Sequence, residues 1–350
     1  MEKHKEKDGS LKAVLLAAGI FILLLFSVMA AILLGSSDLS PETVFAVLKL
    51  KLFGIENEEI PKNAVYIIWN LRLPRALLAI AAGGGLAVCG VAMQAITQNV
   101  LADPYILGVS SGATAMVSFL YFLGGVFVRI SVFTQVGAFI GAVLAMVLVY
   151  FVGVVKGGSS STRLVLAGMA ISIVFNACSH FFIALSNEQA TRSITMWTMG
   201  SLAEARWGNL PYPLLASLAG LLFFAGNARA YNLISLGDET AVSMGVHTAK
   251  VKKWTMLMVA FVTGILVASC GIIGLVGFVI PHVVRILVGA NHRKLVPISF
   301  LVGCVFLVWM DVAARLVMAP QELPIGIFTA FCGGPFFVWL LYRQNQSANE

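Results

Sequence analysis

The chain has 350 residues, of which 59% are hydrophobic and only 11% are charged. A soluble globular domain needs far more charge on its surface, so this composition excludes that class and indicates a polytopic membrane protein. The net charge of +7 does not require a nucleic-acid partner, because lysines and arginines distributed by membrane topology produce the same excess. We therefore expect membrane lipid, and no nucleic acid, around this chain.

Apolar runs of about 20 residues, the length that crosses a ~30 Å hydrocarbon core, recur from Val14 to Tyr342. They predict an all-α polytopic membrane protein with about ten transmembrane helices. The predicted spans are 13–34, 74–96, 105–123, 133–153, 164–185, 209–226, 254–273, 275–289, 296–315 and 325–342. The first run is too long for a signal peptide and lacks a small-x-small cleavage site, so it is interpreted as a retained helix.

An even number of spans places both termini on one side of the membrane. The loops and tails on that side carry fourteen lysines and arginines, against nine on the other, which predicts cytoplasmic termini. The predicted organisation is a cytoplasmic tail at 1–12, a single transmembrane domain at 13–342 and a cytoplasmic tail at 343–350.

A weak internal repeat appears at an offset of 181 residues. It aligns Arg72 with Lys253, Gly83 with Gly264, Cys89 with Cys270, Gly90 with Gly271 and Gly108 with Gly289. The two segments enter the membrane from opposite faces in the predicted topology, which is the inverted repeat typical of transporters that alternate access. Chance matches in a glycine-rich chain are the alternative.

Glycine is abundant, with 33 residues, and indicates closely packed helices. Most of these glycines are explained by packing alone. Those next to prolines, at 277–281 and 333–335, are a different case, because they are candidates to interrupt helices near a transport path.

The residues that would support chemistry are few. The five cysteines lie in apolar spans at spacings typical of neither a metal site nor a disulfide framework, so no metal site is expected. The chain also lacks a G-x-x-x-x-G-K-[ST] phosphate-binding loop and a serine nucleophile pattern, so it is not expected to be an enzyme or to hydrolyse ATP itself. The ionisable residues in or near spans are His180, His282, Arg285 and Asp311, and each is expected at a helix end or beside a polar neighbour.

One polar segment, Ser235 to His247, stands out between the sixth and seventh spans. Asp238 or Ser235 is a candidate N-cap, residues 239–244 fit about two helical turns, and Gly245 suits a left-handed stop. Ala241, Val242 and Met244 are predicted to form a small exposed apolar face. A short capped helix of this kind at a membrane surface is suited to docking a soluble partner.

Ordered motifs across about residues 65–345 carry a family resemblance. They include Leu71-Arg-Leu-Pro-Arg75, Asn99-Val-Leu-Ala-Asp-Pro104, Trp197-Thr-Met-Gly-Ser201, Leu236-Gly-Asp-Glu-Thr-Ala-Val-Ser-Met-Gly-Val246, Gly277-Phe-Val-Ile-Pro-His282 and Glu322-Leu-Pro-Ile-Gly326. The chain resembles the FecCD-type permease subunits of binding-protein-dependent ABC importers for iron-siderophores, heme and vitamin B12. The resemblance implies a type II ABC importer permease fold.

The resemblance also implies roles for individual residues. Contact with the ATPase would fall to Gly237, Asp238, Glu239, Ser243 and Gly245, and docking of the binding protein to Arg72, Arg75 and Arg315. A cytoplasmic gate would be formed by Asn99, Leu101, Ser161 and Thr162, although Val100 replaces the proline that is usual in the family. Snorkelling to lipid, or pairing with Asp311 or Glu322, is the alternative for the arginines, and helix capping is the alternative for the gate residues.

The implied assembly contains a second copy of the permease or a close paralogue, two cytoplasmic ATPase subunits and an extracytoplasmic substrate-binding protein. This chain would bind no cofactor, and ATP and Mg²⁺ would belong to the ATPase. A stand-alone, ion-coupled secondary transporter is the alternative from another class, and the scarcity of acids at mid-membrane disfavours it. The expected substrate is a metal chelate, an iron-siderophore first, with heme and cobalamin as alternatives.

Overall fold

The computed structural model describes residues 2–35, 37, 39–55, 60–124, 130–155 and 161–347, and every regular element in these ranges is helical. In the first half of the chain, α1 spans Glu2–Leu33, α2 Pro41–Phe53, α3 Lys62–Val65, α4 Leu73–Thr97, α5 Val109–Leu123, α6 Ile130–Tyr150 and α7 Ser161–Leu185. In the second half, α8 spans Glu188–Thr198, α9 Pro211–Gly226, α10 Ala228–Ile234, α11 Asp238–Ser243, α12 Thr248–Cys270, α13 Val276–Val288, α14 His292–Leu316 and α15 Ile325–Ser347.

A helix lies at each of the ten predicted spans. Among the described residues, six helical segments are long and apolar enough to cross a membrane alone, and α9 with α10 forms a seventh that bends by 60°. The apolar helices α5, α13 and the first part of α15 are shorter. At 1.5 Å per residue a 13-residue helix such as α13 is only about 20 Å long, which is shorter than the ~30 Å hydrocarbon core.

Several boundaries differ from the prediction. Helix α1 already begins at Glu2 and α15 continues to Ser347, so the helices extend into both predicted tails. A π-helical segment, Tyr66–Arg72, joins α3 to α4, so the second span begins at Lys62 and not at residue 74. Helices α2 and α8 were not predicted, although Ser40 and Asn187 cap them through side-chain oxygens that accept hydrogen bonds from backbone amides.

Helix α4 is the centre of the bundle and packs against α14, α9, α12 and α13. Its glycines allow this close packing, because a Cβ at Gly83 would overlap the backbone of Gly303, and one at Gly90 would overlap the backbone of Gly277. Gly112 and Gly141 make the same kind of contact between α5 and α6. Glycine therefore sets the helix separation here, as the composition predicted.

The proline-containing segments do not interrupt helices. Pro281 lies inside α13 and Pro335 inside α15. The break falls instead between α12 and α13, where Gly271 and Leu275 have positive φ angles of 69°. The expectation of helix interruptions at 277–281 and 333–335 was wrong, since neighbouring helices tolerate a proline in a buried span.

Candidate functional site

The polar segment forms the short helix α11, which begins after Gly237 (φ 119°) and ends at Ser243. Gly245 adopts the predicted left-handed conformation (φ 83°), and the amide of Val246 donates to the carbonyl of Ala241 over 2.9 Å. This pair of features is a Schellman stop. The helix is therefore a defined structure and not a linker.

The predicted N-cap is wrong. Within the described part of the chain no side chain caps α11: the Ser235 hydroxyl donates to the Tyr231 carbonyl, and the Asp238 carboxylate has other partners. Ala241 is also fully buried, so only Val242 and Met244, which are 57% and 59% exposed, remain on the apolar face. Glu239 and Ser243 are exposed beside them, and a partner would meet both apolar and polar groups.

Asp238 fixes α11 to the bundle. Its Oδ2 accepts a hydrogen bond from Lys252 Nζ of α12 at 2.6 Å, and its Oδ1 accepts one from Gln98 Nε2 at 3.3 Å. The Lys252 side chain is only 2% exposed, whereas that of Asp238 is 30% exposed. A buried cation therefore holds the first residue of the short helix, which supports the helix without a side-chain cap.

The predicted gate segments both lie at the α11 end of the bundle. Asn99 follows directly on Gln98, and its side-chain oxygen accepts a hydrogen bond from the amide of Leu101 at 2.9 Å. Thr162, in the first turn of α7, is exposed, whereas the side chain of Ser161 lies outside the described part of the chain. Asn99 thus has a local capping contact, which is the alternative that the sequence left open for it.

The three predicted docking arginines come together at the opposite end of the bundle. They line a cavity of about 440 Å³ with Arg206, Glu322 and residues of the neighbouring loops. Arg206 was not among the predicted docking residues, and it is the exposed member of the four arginines. The available signal in the sequence was its position in the loop between α8 and α9. In the structure Trp207 of this loop packs on Trp69, with ring centroids 5.0 Å apart.

Two of these arginines cap the end of α1. Arg72 donates to the carbonyls of Ile32 and Leu33 at 2.8 and 2.9 Å, and Arg315 donates to those of Ala31 and Leu34 at 3.0 Å. Both arginines are buried. Guanidinium groups at a helix C-terminus satisfy carbonyls that lack an intrahelical partner and favour the negative end of the helix dipole.

The third arginine is paired with two carboxylates. Arg75 Nε lies 2.7 Å from Asp311 Oδ1, and its Nη1 lies 2.7 Å from Glu322 Oε2. Arg315 forms a further ion pair with the buried Asp311 at 3.1 Å. The pairing with Asp311 and Glu322 that the sequence offered as an alternative is therefore present.

The other ionisable groups that the sequence placed in or near spans differ in their surroundings. Arg285 donates to the Gln94 side-chain oxygen at 2.9 Å, and His282 packs against the ring of Phe336. His180 is exposed on α7. Arg285 and Asp311 confirm the expectation of polar neighbours.

Comparison with known proteins identifies the architecture. The model of the FecCD transport family matches residues 23–343. The chain belongs to the FecCD transport family. This FecCD permease has the fold of a type II ABC importer permease, and it superposes with a TM-score of 0.80 on a solved metal-chelate type ABC transporter in an inward-facing conformation, at 29% identity over 93% of this chain and 98% of that one.

Curated relatives carry different substrates in their names. The hemin transport system permease HmuU of Yersinia pestis is 37% identical over 93% of this chain and 95% of its own length. The Fe(3+) dicitrate permease FecD of Escherichia coli is 34% identical over 80% and 86%, and the cobalamin import permease BtuC of Halobacterium salinarum is 36% identical over 81% and 75%. The family is therefore plain, and the names do not select one substrate.

Proposed function

We propose that this FecCD permease carries a metal chelate, in the first place an iron-siderophore, across the cytoplasmic membrane and is driven by separate ATPase subunits. The observation that carries the proposal is α11, a six-residue helix fixed to the bundle by the Asp238–Lys252 pair while Glu239, Val242 and Met244 remain exposed. A rigid, amphipathic surface element can transmit a push from a partner, whereas a flexible loop cannot. In this proposal both termini lie on the cytoplasmic side with α11.

A second copy of the permease is part of the proposal. The span Thr162–Leu185 is apolar, yet only 22% of its most apolar window is buried within this chain. Asn176 and His180 are exposed on it, four residues apart and so on one face. Polar side chains in a span avoid lipid, and a partner copy enclosing a water-filled path would receive them.

The binding protein is proposed to dock at the four-arginine cavity, opposite α11. Arg72 and Arg315 are buried against the end of α1, and Arg75 is paired with two acids. Arg206 donates through Nη1 to the carbonyls of Ala203 and Ala205, but it is the exposed arginine of the four and therefore the one most accessible to a partner carboxylate. Bidentate pairing with a carboxylate is typical of arginine at interfaces. Charge reversal at Arg206 is consequently a cleaner test of docking than reversal at Arg75.

The test of the main proposal is reconstitution in proteoliposomes with the ATPase and a binding protein. We expect uptake of a radiolabelled ferric hydroxamate that requires ATP, and a Glu239→Lys variant that loses ATPase binding or uptake while the permease remains folded. Glu239 is preferred to Asp238 because it is exposed and does not hold α11 in place. Uptake driven by an ion gradient without the ATPase would instead establish a secondary transporter.

Hemin is the second candidate substrate, favoured by the 37% identity to HmuU over nearly the whole chain. The same proteoliposomes distinguish the two substrates when hemin and the ferric hydroxamate are each offered, because the binding protein delivers only the ligand that it binds. Uptake of hemin in preference to the ferric hydroxamate would reassign the substrate and leave the transport mechanism unchanged.

A further inference from the structure

The last turn of α4 ends in an unusual residue. Gln98 has a left-handed backbone (φ 51°), one of two non-glycine residues with positive φ among those the structure describes. Its amide hydrogen-bonds back to Ala95 at 3.3 Å, so the chain turns sharply at this point. Glycine occupies such a position at no steric cost, so a larger residue there directs attention to what its side chain contacts.

The Gln98 side chain contacts both sides of the entry to α11. Its Nε2 donates to the carbonyl of Ile234, the last residue of α10, at 2.8 Å and to Asp238 Oδ1 at 3.3 Å. The other oxygen of Asp238 is held by the buried Lys252. A displacement of α11 therefore acts directly on one side chain at the end of α4.

The predicted gate segment begins at the next residue. The amide of Asn99 donates to the carbonyl of Gln94 at 3.2 Å, its carbonyl accepts from Ala102 at 3.1 Å, and its side chain accepts from Leu101. These local bonds make residues 98–102 a compact turn. A rotation at Gln98 consequently displaces Asn99 and Leu101 together.

We infer that Gln98 is a positioning residue that transmits movement of α11 to the gate turn at residues 98–102. The inference rests on the proposed function, because it presumes that an ATPase moves α11. Transmission by Gln98 differs from helix capping. A cap needs only the backbone of Gln98, whereas transmission needs the hydrogen-bond donor at the end of its side chain.

The test compares two substitutions that differ in whether the side chain carries a hydrogen-bond donor at its end. Gln98→Leu removes the donor, and Gln98→Lys keeps a donor at the end of its side chain for the Ile234 carbonyl and the Asp238 carboxylate. Gln98 and Gln321 are both exposed, and Gln321 lies in the loop before α15 at the opposite end of the bundle, so Gln321→Leu is the matched control. Each variant is reconstituted with the ATPase and the binding protein, with a ferric hydroxamate as the probe.

The quantity measured is iron delivered per ATP hydrolysed. We expect Gln98→Leu to lower this ratio about five- to tenfold, the effect of losing one hydrogen bond that favours the coupled state. Its ATPase should still copurify and its thermal midpoint should be unchanged, because a purely structural role would move those quantities instead. The ratio for Gln98→Lys should stay within about twofold of the parent's ratio, and the ratio for Gln321→Leu should equal the parent's.

Three results would overturn the inference. The first is a Gln98→Leu variant that delivers as much iron per ATP as the parent. The second is a Gln98→Leu variant that loses the ATPase or thermal stability, while its intact complexes still deliver as much iron per ATP as the parent. The third is a Gln98→Lys variant as uncoupled as Gln98→Leu. A parent complex without ATP-driven uptake would refute the proposed function itself, and the inference with it.

Discussion

Removing either partner of the Asp238–Lys252 pair should have unequal effects on stability. Asp238→Ala leaves the ammonium of Lys252, whose side chain is 2% exposed, without the carboxylate that lies 2.6 Å away. Lys252→Met removes the buried charge itself and fills its space with an apolar chain, while Asp238 remains 30% exposed and bonded to Gln98. The first change removes one partner of a buried charge, whereas the second removes the charge itself.

The size of the difference follows from the burial. Breaking a fully buried pair costs about 3–5 kcal/mol. Asp238 is partly exposed, and Lys252 keeps a further contact, so we expect about 2 kcal/mol for Asp238→Ala and under about 1 kcal/mol for Lys252→Met. The double variant should be more stable than Asp238→Ala alone, because it no longer contains the buried charge of Lys252.

Thermal unfolding of the purified permease in detergent measures these changes, with a drop of a few degrees expected for Asp238→Ala. Copurification of the ATPase reports separately on whether α11 keeps its position. Equal destabilisation by the two single changes, or a double variant as unstable as their sum, would show that the pair does not act as a buried charge held by its partner.

Three further predictions concern packing, pH and the end of α1. Gly90→Ala should lower the free energy of unfolding by more than about 3 kcal/mol or abolish folding, because the added Cβ overlaps the backbone of Gly277. Gly274→Ala should be tolerated, because an added Cβ there meets open space. Expression yield and the thermal midpoint measure both effects. Burial raises the pKa of the Asp103 carboxyl from 3.8 to about 6, so its ionised form destabilises the fold above pH 6 and this penalty fades as the pH falls through 6 towards 3.8. Asp103→Asn should therefore stabilise the permease by about 2 kcal/mol at pH 8 and by less at pH 5, and an equal gain in thermal midpoint at both pH values would contradict this cause. Arg72→Ala should lower the thermal midpoint through loss of its bonds to the α1 carbonyls while ATPase binding persists, and an unchanged midpoint would show that the cap is dispensable.

The sequence was most informative where a local physical constraint acts. The thickness of the bilayer requires long apolar helices, so hydropathy alone predicted a helix at each of the ten positions, although three of these helices are shorter than a full span. Gly245 was predicted as a left-handed stop because few other residues take that conformation, and the ordered motifs indicated the family. Helices α2 and α8 were missed because neither crosses the membrane, and their capping residues gave the only signal.

The contacts between distant segments were decided only by the tertiary structure. The motifs singled out Arg72, Arg75 and Arg315. The carbonyls and carboxylates that these arginines contact come from α1, α14 and the loop before α15, up to 284 residues away in the sequence. In the same way, nothing near Asp238 in sequence reveals that Lys252 and Gln98 hold it, since these partners come from α12 and α4. Hydropathy and short motifs depend on neighbouring residues and therefore determined the class, the spans and the family. The partner of each buried charge depends on which helices pack together, and only the folded bundle determined that.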